Sequence, residues 1–304
     1  MSELNLAVNL AGLKLRNPTM LAAGVLGLSA PLLKRVYESG AGAVVTKSIG
    51  PSSRGGHSNP TVVSLEYGFL NAMGLPNPGV DYFSTEVRKL KEDNIPVVAS
   101  IFAETLEGHA EVAACLVKAG ADAVEINCSC PNVKDIGLLG QDPNAVEEVT
   151  RAVKDAVHVP VLAKLTPNVA NVAEIARAAE RGGADGITAI NTLKAIAVDV
   201  ETQRPILSNI TGGLSGPALK SVALRCVWEI FENVSIPIVG CGGISCWCDA
   251  VEFFLCGASA VQIGTAIMSH GLTIFNSINE GIGDYMTRRG LRSVQGIVGK
   301  AHGK

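Results

Sequence analysis

The feature that most constrains the fold of this chain is a pair of short sequence patterns that alternate along most of its length. The first, Gly-Ala-x-small-apolar, occurs at residues 40–44, 120–124, 183–187 and 257–261. The second, an apolar residue followed by Pro and two more apolar residues, occurs at residues 95–98, 159–162 and 236–239. Each opens a short apolar run without polar alternation, which is typical of strands buried on both faces of a parallel sheet.

Glycine and proline have defined positions in these patterns. We expect each glycine of the first pattern to follow the end of a helix, at the C′ position, where a positive φ is favoured. We expect each proline of the second pattern to be the first residue of a strand, where its missing N–H does little harm. The chain is therefore predicted to alternate between helices and strands.

Segments with helical periodicity lie between the predicted strands. Leu106, Ala110, Ala113, Leu116 and Val117 recur at three- and four-residue intervals and form one apolar stripe. Residues 147–157 and 172–181 behave similarly. These segments are predicted to be helices that cover a parallel sheet.

An opening strand near residues 19–23 brings the predicted strands to eight. They are expected at residues 19–23, 42–47, 95–101, 122–127, 159–165, 185–190, 236–240 and 259–263. Strand–helix alternation repeated eight times predicts an α/β fold of the (β/α)8 TIM-barrel type, since a doubly wound sheet rarely repeats so often at this length. With 304 residues, the chain is predicted to be one domain, residues 1–304, with loop insertions at the C-terminal face of the barrel.

The charge pattern argues against nucleic-acid and membrane binding. The net charge is −3, only 17% of residues are charged, and no Lys/Arg cluster occurs. The N-terminus lacks the basic start and apolar core of a signal peptide, and the apolar stretch at residues 20–33 is broken by Gly24, Gly27 and Pro31. We expect a cytoplasmic protein without a spanning helix.

The eight cysteines are expected to be reduced, because the chain is long and has no export signal. The pairs Cys128/Cys130 and Cys246/Cys248 are separated by one residue, a spacing that suits neither a zinc site nor an iron–sulfur ligand run. No metal is predicted. A free thiol is most often simply packed, and this is the interpretation we give to Cys128.

Polar residues follow the predicted strands at the face where TIM barrels carry their chemistry. Lysines stand at Lys47 and Lys164, amides cluster around Asn127 and Asn191, and glycine-rich turns follow strands seven and eight. The turns Gly242-Gly243 and Gly264-Thr265 offer backbone N–H groups to a phosphate, and residues 212–216 can close over it. Two plainer interpretations stay open: the glycines serve only as turns, and the lysines only extend to solvent.

At Asn127-Cys128-Ser129-Cys130-Pro131-Asn132-Val133 the chain resembles the dihydroorotate dehydrogenases. A second block, Glu66-Tyr67-Gly68-Phe69-Leu70-Asn71-Ala72-Met73-Gly74-Leu75-Pro76-Asn77-Pro78-Gly79, is similar to the family's loop after strand two. The likeness covers essentially the whole chain and is strongest to class 1B, the NAD-dependent catalytic subunits. Cys128, and the stretch at residues 135–139, depart from the family pattern.

The resemblance implies oxidation of (S)-dihydroorotate to orotate in de novo pyrimidine (UMP) biosynthesis. Cys130 would remove the C5 proton, and one FMN per chain would accept the C6 hydride at N5. The implied substrate-binding residues are Lys47, Asn71, Met73, Gly74, Leu75, Asn127, Asn132, Asn191 and Thr192. The implied FMN-binding residues are Ala23, Gly24, Lys47, Ser48, Asn127, Lys164, Ile190, Ser215, Gly216, Gly242, Gly243, Gly264 and Thr265.

Electrons would leave through a separate subunit that carries FAD and a [2Fe-2S] cluster and reduces NAD+. The resemblance implies a heterotetramer built around a homodimer of catalytic subunits. Three alternatives remain: a class 1A enzyme linked to fumarate, a related FMN barrel acting on uracil or thymine, and a flavin-free phosphate-binding barrel. The last would leave the Cys130 loop and the block at residues 71–79 unexplained.

Overall fold

The computed structural model describes residues 5–128 and 139–303, and eight of its strands close into a parallel barrel. They are β1 (Thr19–Leu21), β2 (Ala43–Val45), β3 (Val97–Ile101), β4 (Ala123–Asn127), β5 (Val161–Leu165), β6 (Gly186–Ala189), β7 (Ile238–Cys241) and β8 (Ala258–Ile263). Each strand pairs with the next along the chain, and β8 pairs with β1. The predicted (β/α)8 barrel is confirmed, with strand bounds within two residues of those expected.

Helices surround the barrel and bury their apolar faces against it. They are α1 (Ala30–Glu38), α2 (Val80–Glu92), α3 (Leu106–Lys118), α4 (Pro143–Ala156), α5 (Val172–Arg181), α6 (Lys220–Phe231), α7 (Trp247–Leu255), α8 (Ile267–His270) and α9 (Ile274–Arg288). Short 3-10 turns occur at Pro217–Leu219, Val294–Gly296 and Lys300–His302. None of these helices, in the parts of the chain that the structure describes, is long and apolar enough to span a membrane.

The glycines of the first sequence pattern lie where the sequence predicts them. Gly40, Gly120, Gly183 and Gly257 each follow a helix C-cap and have φ between +92° and +116°. A side chain at such a φ would strain the backbone. The glycine of the first pattern therefore marks the turn from helix to strand.

The prolines of the second pattern lie one residue earlier than expected. Pro96, Pro160 and Pro237 immediately precede β3, β5 and β7 instead of beginning them. Their carbonyl groups still accept hydrogen bonds from the N–H groups of Val44, Val124 and Ile187 on neighbouring strands. A proline lacks only the donor, so it can serve the barrel through its acceptor.

Insertions elaborate the C-terminal face after β2 and β6, as predicted. They contribute an antiparallel sheet of four strands, in the spatial order Leu193–Ile196, Thr211–Ser215, Gly68–Asn71 and Val62–Leu65. Two smaller pairs join Ser53–Arg54 to Asn77–Pro78 and Val198–Asp199 to Arg204–Pro205. The glycine-rich segment at residues 212–216 is therefore mostly a strand, which pairs with both insertions.

The barrel interior has two layers. The lower layer is apolar and is closed from below by the hairpin Val8–Leu10/Leu13–Leu15. It consists of Met20, Ala43, Val45, Val98, Ala123, Leu162, Val239 and Ala260, packed with Leu10, Leu13 and Leu15. The upper layer is polar and buried, and consists of Ser100, Glu125, Lys164, Thr188 and Gln262. Residues two apart on a strand face the same side, so β3, β4, β5 and β8 each supply both layers.

Candidate active site

A cavity of about 520 Å³ lies at the carboxyl ends of the barrel strands. This volume is within the usual range for a pocket that binds a small molecule or cofactor. All the described residues that the sequence assigned to substrate or FMN line it: Ala23, Gly24, Lys47, Ser48, Asn71, Met73, Gly74, Leu75, Asn127, Lys164, Ile190, Asn191, Thr192, Ser215, Gly216, Gly242, Gly243, Gly264 and Thr265. Cys130 and Asn132 lie outside the described residues.

Lys164 reaches the cavity from β5 and is held by two other members of the upper layer. Its Nζ donates to Gln262 Oε1 at 2.8 Å and lies 3.4 Å from Glu125 Oε1. The other carboxylate oxygen, Glu125 Oε2, accepts from Gln262 Nε2 at 2.5 Å and from Thr188 Oγ1 at 2.8 Å. The four side chains come from β4, β5, β6 and β8 and form one closed hydrogen-bonded group.

The charge on Lys164 is maintained by this group. Burial disfavours the ammonium form, but the charge of Glu125, with contributions from Cys241 and from the hydrogen bond to Glu125, outweighs that penalty, so the pKa of Lys164 lies above its ordinary value. Burial raises the pKa of the neighbouring Cys241 thiol, although the Lys164 charge opposes this. At neutral pH the cavity floor therefore presents a lysine cation beside a neutral thiol.

Lys47 follows β2 and enters the cavity beside the loop after β1. Its backbone N–H donates to Gly27 O at 2.9 Å, and the side chain is 9% exposed. Gly24, with φ +110°, places no side chain there; a Cβ would lie 3.9 Å from Lys47 Nζ. Glycine at this position leaves the ammonium accessible from the cavity.

A chain of amides and hydroxyls forms one wall. Asn127 Nδ2 donates to Ser48 Oγ at 3.0 Å, and Ser48 Oγ lies 2.9 Å from Ser100 Oγ. Asn191 Nδ2 donates to Asn127 Oδ1 at 3.3 Å, while Asn191 Oδ1 accepts from the N–H of Thr192 at 2.8 Å. The hydrogen bonds fix the orientations of both amides before any ligand arrives.

The opposite wall comes from the inserted loops. Asn71 Nδ2 donates to Gly213 O at 3.3 Å, which joins the insertion after β2 to the one after β6. Asn77, 6% exposed, donates to Leu75 O at 3.0 Å and accepts from the N–H of Gly79 at 2.9 Å. These bonds hold the backbone of residues 73–75 at the cavity edge.

The turn after β7 is glycine-dependent and anchored from outside the barrel. Gly242 and Gly243 have φ of +132° and +73°, and a Cβ on Gly243 would lie 2.8 Å from the backbone N of Lys220. Asp249 on α7 accepts from the N–H groups of Ser245 and Cys246 at 2.8 and 3.0 Å, and from Lys220 Nζ at 2.8 Å. Burial would raise the pKa of Asp249, but the bonds from Lys220 and Ser245 bring it below the ordinary value.

Two comparisons with known proteins decide the family. A profile described as "Dihydroorotate dehydrogenase" matches residues 5–286. The chain belongs to the dihydroorotate dehydrogenase family. Proteins named "Dihydroorotate dehydrogenase B (NAD(+)), catalytic subunit" are similar to this chain over nearly its full length. The protein of Pyrococcus abyssi is 52% identical over 97% of this chain and 99% of its own length. The protein of Methanocella arvoryzae is 50% identical over 98% of this chain and 98% of its own length.

A solved structure agrees at the level of the fold. The crystal structure of DHODH in complex with ferulenol from Eimeria tenella superposes with a TM-score of 0.88, at 23% identity, over 98% of this chain and 89% of that one. The resemblance noted in the sequence to this family of oxidoreductases, and to its NAD-linked catalytic subunits, is confirmed.

In this member of the dihydroorotate dehydrogenase family, several residues that line the cavity were not among the predicted site residues. Gln262 and Cys241 line the floor, and Met268 and His270 of α8 line the mouth. Gln262 carried a usable signal, because it stands two residues after an inward-facing alanine near the end of a strand. The mouth residues carried none, since only the path of the chain after β8 brings α8 over the cavity.

Cys128 is fully buried in the apolar core, as predicted. Burial, reinforced by the charge of Glu125, raises the pKa of its thiol to about 12. The thiol is thus protonated at neutral pH and is packed among core residues.

Proposed function

We propose that this chain oxidises (S)-dihydroorotate to orotate with FMN bound in the cavity, as part of pyrimidine biosynthesis. The observation that carries the proposal is the convergence of two lysines, three asparagines and two glycine turns on one cavity in a chain of this family. When bound, FMN would supply the redox centre that takes up the hydride. The protein's task is then binding, orientation and electrostatics.

The donor set of the cavity suits FMN. The backbone around Gly242-Gly243 and Gly264-Thr265, with Ser215 and Gly216, would hold the phosphate where TIM barrels bind it. Lys164 would face the part of the flavin ring that becomes negatively charged on reduction. A fixed cation in a buried site stabilises such charge far better than one in water.

The amide walls suit a small planar imide with a carboxylate. Asn71, Asn127 and Asn191 would pair with its polar edges, together with Thr192 and the backbone of residues 73–75. Lys47 would lie between the flavin and the substrate carboxylate. A substrate analogue without the matching groups would leave buried amides unpaired, at a cost of about 1–3 kcal/mol for each polar atom.

Cys130 is proposed as the base that removes the C5 proton. In the sequence, Cys130 follows the end of β4 by three residues, and Asn127, the last residue of β4, lines the cavity. A thiol has an ordinary pKa of about 8.5, so its thiolate fraction rises with pH across the neutral range.

We further propose that the electrons pass to NAD+ through a second subunit that carries FAD and a [2Fe-2S] cluster, around a homodimer of catalytic chains. The names of the similar proteins, which specify NAD(+) and a catalytic subunit, support this. In the described chain, His, Cys, Asp and Glu do not form a metal-binding cluster, which is compatible with a cluster carried elsewhere.

The test begins with the purified protein. We expect a yellow protein that releases FMN on denaturation and reduces a dye with dihydroorotate but not with dihydrouracil. Activity with dihydrouracil would favour the uracil and thymine enzymes, and activity with fumarate alone would replace the NAD+ proposal. A colourless protein that does not bind added FMN would overturn the proposed function.

A second measurement addresses Cys130. Stopped-flow reduction of bound FMN by dihydroorotate should accelerate with pH, and Cys130→Ala should slow it by roughly 100-fold or more. Cys128→Ala is the matched control and should retain the rate. Near-normal turnover by Cys130→Ala would contradict the assignment.

A further inference from the structure

Glu125 is a fully buried carboxylate to which the proposed reaction gives no role. It is 0% exposed, and both of its oxygens are engaged, by Lys164, Gln262 and Thr188 as described above. In the described part of the chain Glu125 does not itself line the cavity, whereas Lys164 and Gln262 do. Any effect of Glu125 on a ligand must therefore be transmitted through its neighbours.

Stability alone does not explain such a group. Burying an ion pair costs solvation that its attraction scarcely repays, and an apolar replacement of similar size is often as stable. The layer below is apolar throughout and packs well, so the barrel has no structural need of a charge here. Lys164 is the neighbour of Glu125 that carries the opposite charge and also reaches the cavity.

We propose that Glu125 is a positioning residue for Lys164: it keeps the ammonium charged beneath the cofactor, while Gln262 between them fixes its direction. This inference rests on the proposed function for the identity of the cofactor. The carboxylate would act as a counter-charge that lies outside the cavity lining, while the ammonium of Lys164 reaches the cavity.

The other ionisable groups near Lys164 do not replace Glu125. Cys241 on β7 and Cys128 after β4 have raised pKa values and are neutral thiols at pH 7. Lys47, after β2, lines the same cavity and carries a like charge. Ser100 on β3 and Thr188 on β6 have no charge to offer. Without Glu125, Lys164 would be a buried cation whose deprotonation is favoured by burial.

The first test is the pH dependence of unfolding of the full chain in urea. In the wild type the pKa of folded Lys164 is raised, so its contribution to stability persists from acid to mildly alkaline pH and is lost only above the ordinary lysine pKa. In Glu125→Gln the folded pKa should be lowered, so the midpoint should increase with pH until the ordinary lysine pKa is reached. Adding Lys164→Met should abolish that increase.

Two variants serve as controls. Glu125→Asp keeps the charge and should restore the pH profile of the wild type even if Glu125→Gln folds poorly. Asp122→Asn removes the carboxylate of a comparable Lys91 pair on the outside of the barrel, 2.7 Å apart and partly exposed, and should not produce the increase. Parallel profiles for wild type and Glu125→Gln would overturn the inference.

The second test is the midpoint potential of bound FMN. Relative to wild type, Glu125→Gln should raise the potential at low pH, where Lys164 is still charged, and lower it at high pH, where the charge is lost. A constant difference at all pH values would contradict a role through Lys164. If the chain binds no FMN, the proposed function fails, but the unfolding profiles still decide whether Glu125 keeps Lys164 charged.

Discussion

The lower and upper layers of the barrel interior share the strands β3, β4, β5 and β8, yet their chemistry is opposite. On β5, Leu162 belongs to the apolar layer, and Lys164, two residues later, belongs to the polar one. Both layers are almost completely buried. The lower layer needs only shape and apolar volume, whereas each group of the upper layer needs a partner. A buried polar layer at the carboxyl end of a barrel is thus a mark of function.

The largest effect on stability is expected when a lysine is placed in the apolar lower layer. Leu162→Lys places a second lysine two residues before Lys164, in the lower layer. Its neighbours there are apolar and include no carboxylate. We expect a loss of more than about 4 kcal/mol of unfolding free energy, measured by urea denaturation, or no folded protein. Leu162→Met should cost less than about 1.5 kcal/mol. A Leu162→Lys variant as stable as the wild type would mean that the lower layer tolerates a buried charge without a partner.

The converse change removes the charge from the upper layer. Lys164→Met should lower kcat for dihydroorotate by about 100- to 1,000-fold, because a preorganised cation opposite developing charge is lost. Because Lys164→Met leaves the buried carboxylate of Glu125 without its cation, we expect a loss of about 3–5 kcal/mol of unfolding free energy, and kcat is referred to the folded fraction measured in parallel. Lys154→Met is the control: that lysine pairs with Asp185 at 2.6 Å on the outside of the barrel. Activity of Lys164→Met within a few-fold of wild type would refute the electrostatic role of this layer.

A smaller effect is expected above the upper layer, at the turn after β7. Gly243→Ala meets the backbone of Lys220 and the positive φ at once, which should cost about 1–3 kcal/mol. FMN affinity, measured by fluorescence titration, should fall by roughly tenfold. Gly290→Ala, with φ +65° and no atom within 4 Å of the added Cβ, keeps the strain without the clash. Equal FMN affinity in the two variants would show that this turn does not help to bind the cofactor.

The smallest effect concerns the anchor of that turn. Asp249→Asn should destabilise the protein by about 1–2 kcal/mol at neutral pH, because charged hydrogen bonds are lost. Since the folded pKa of Asp249 lies below its ordinary value of 3.8, the advantage of the wild type is present above that pH and disappears as the pH falls through the folded pKa. Denaturation curves that stay equally far apart in acid would contradict this.

Much of the site could be predicted from short stretches of sequence. Gly242-Gly243, Lys164 and Asn127 each end a strand, and the barrel rule assigns all strand ends to one face. The group formed by Glu125, Lys164, Thr188 and Gln262 could not be predicted in this way. Its members are separated by up to 137 residues, and nothing in the local pattern says which of them will meet.

The sequence by itself determined where the eight barrel strands and the helices Leu106–Lys118, Pro143–Ala156 and Val172–Arg181 lie, because local periodicity and the glycines that follow helices act over a few residues. It also determined the family, through the blocks around residues 66–79 and 127–133. The tertiary structure alone decided which inward-facing residues share a layer. Barrel closure brings Glu125 on β4 and Gln262 on β8 into direct hydrogen-bond contact, and that contact depends on the register of every strand between them.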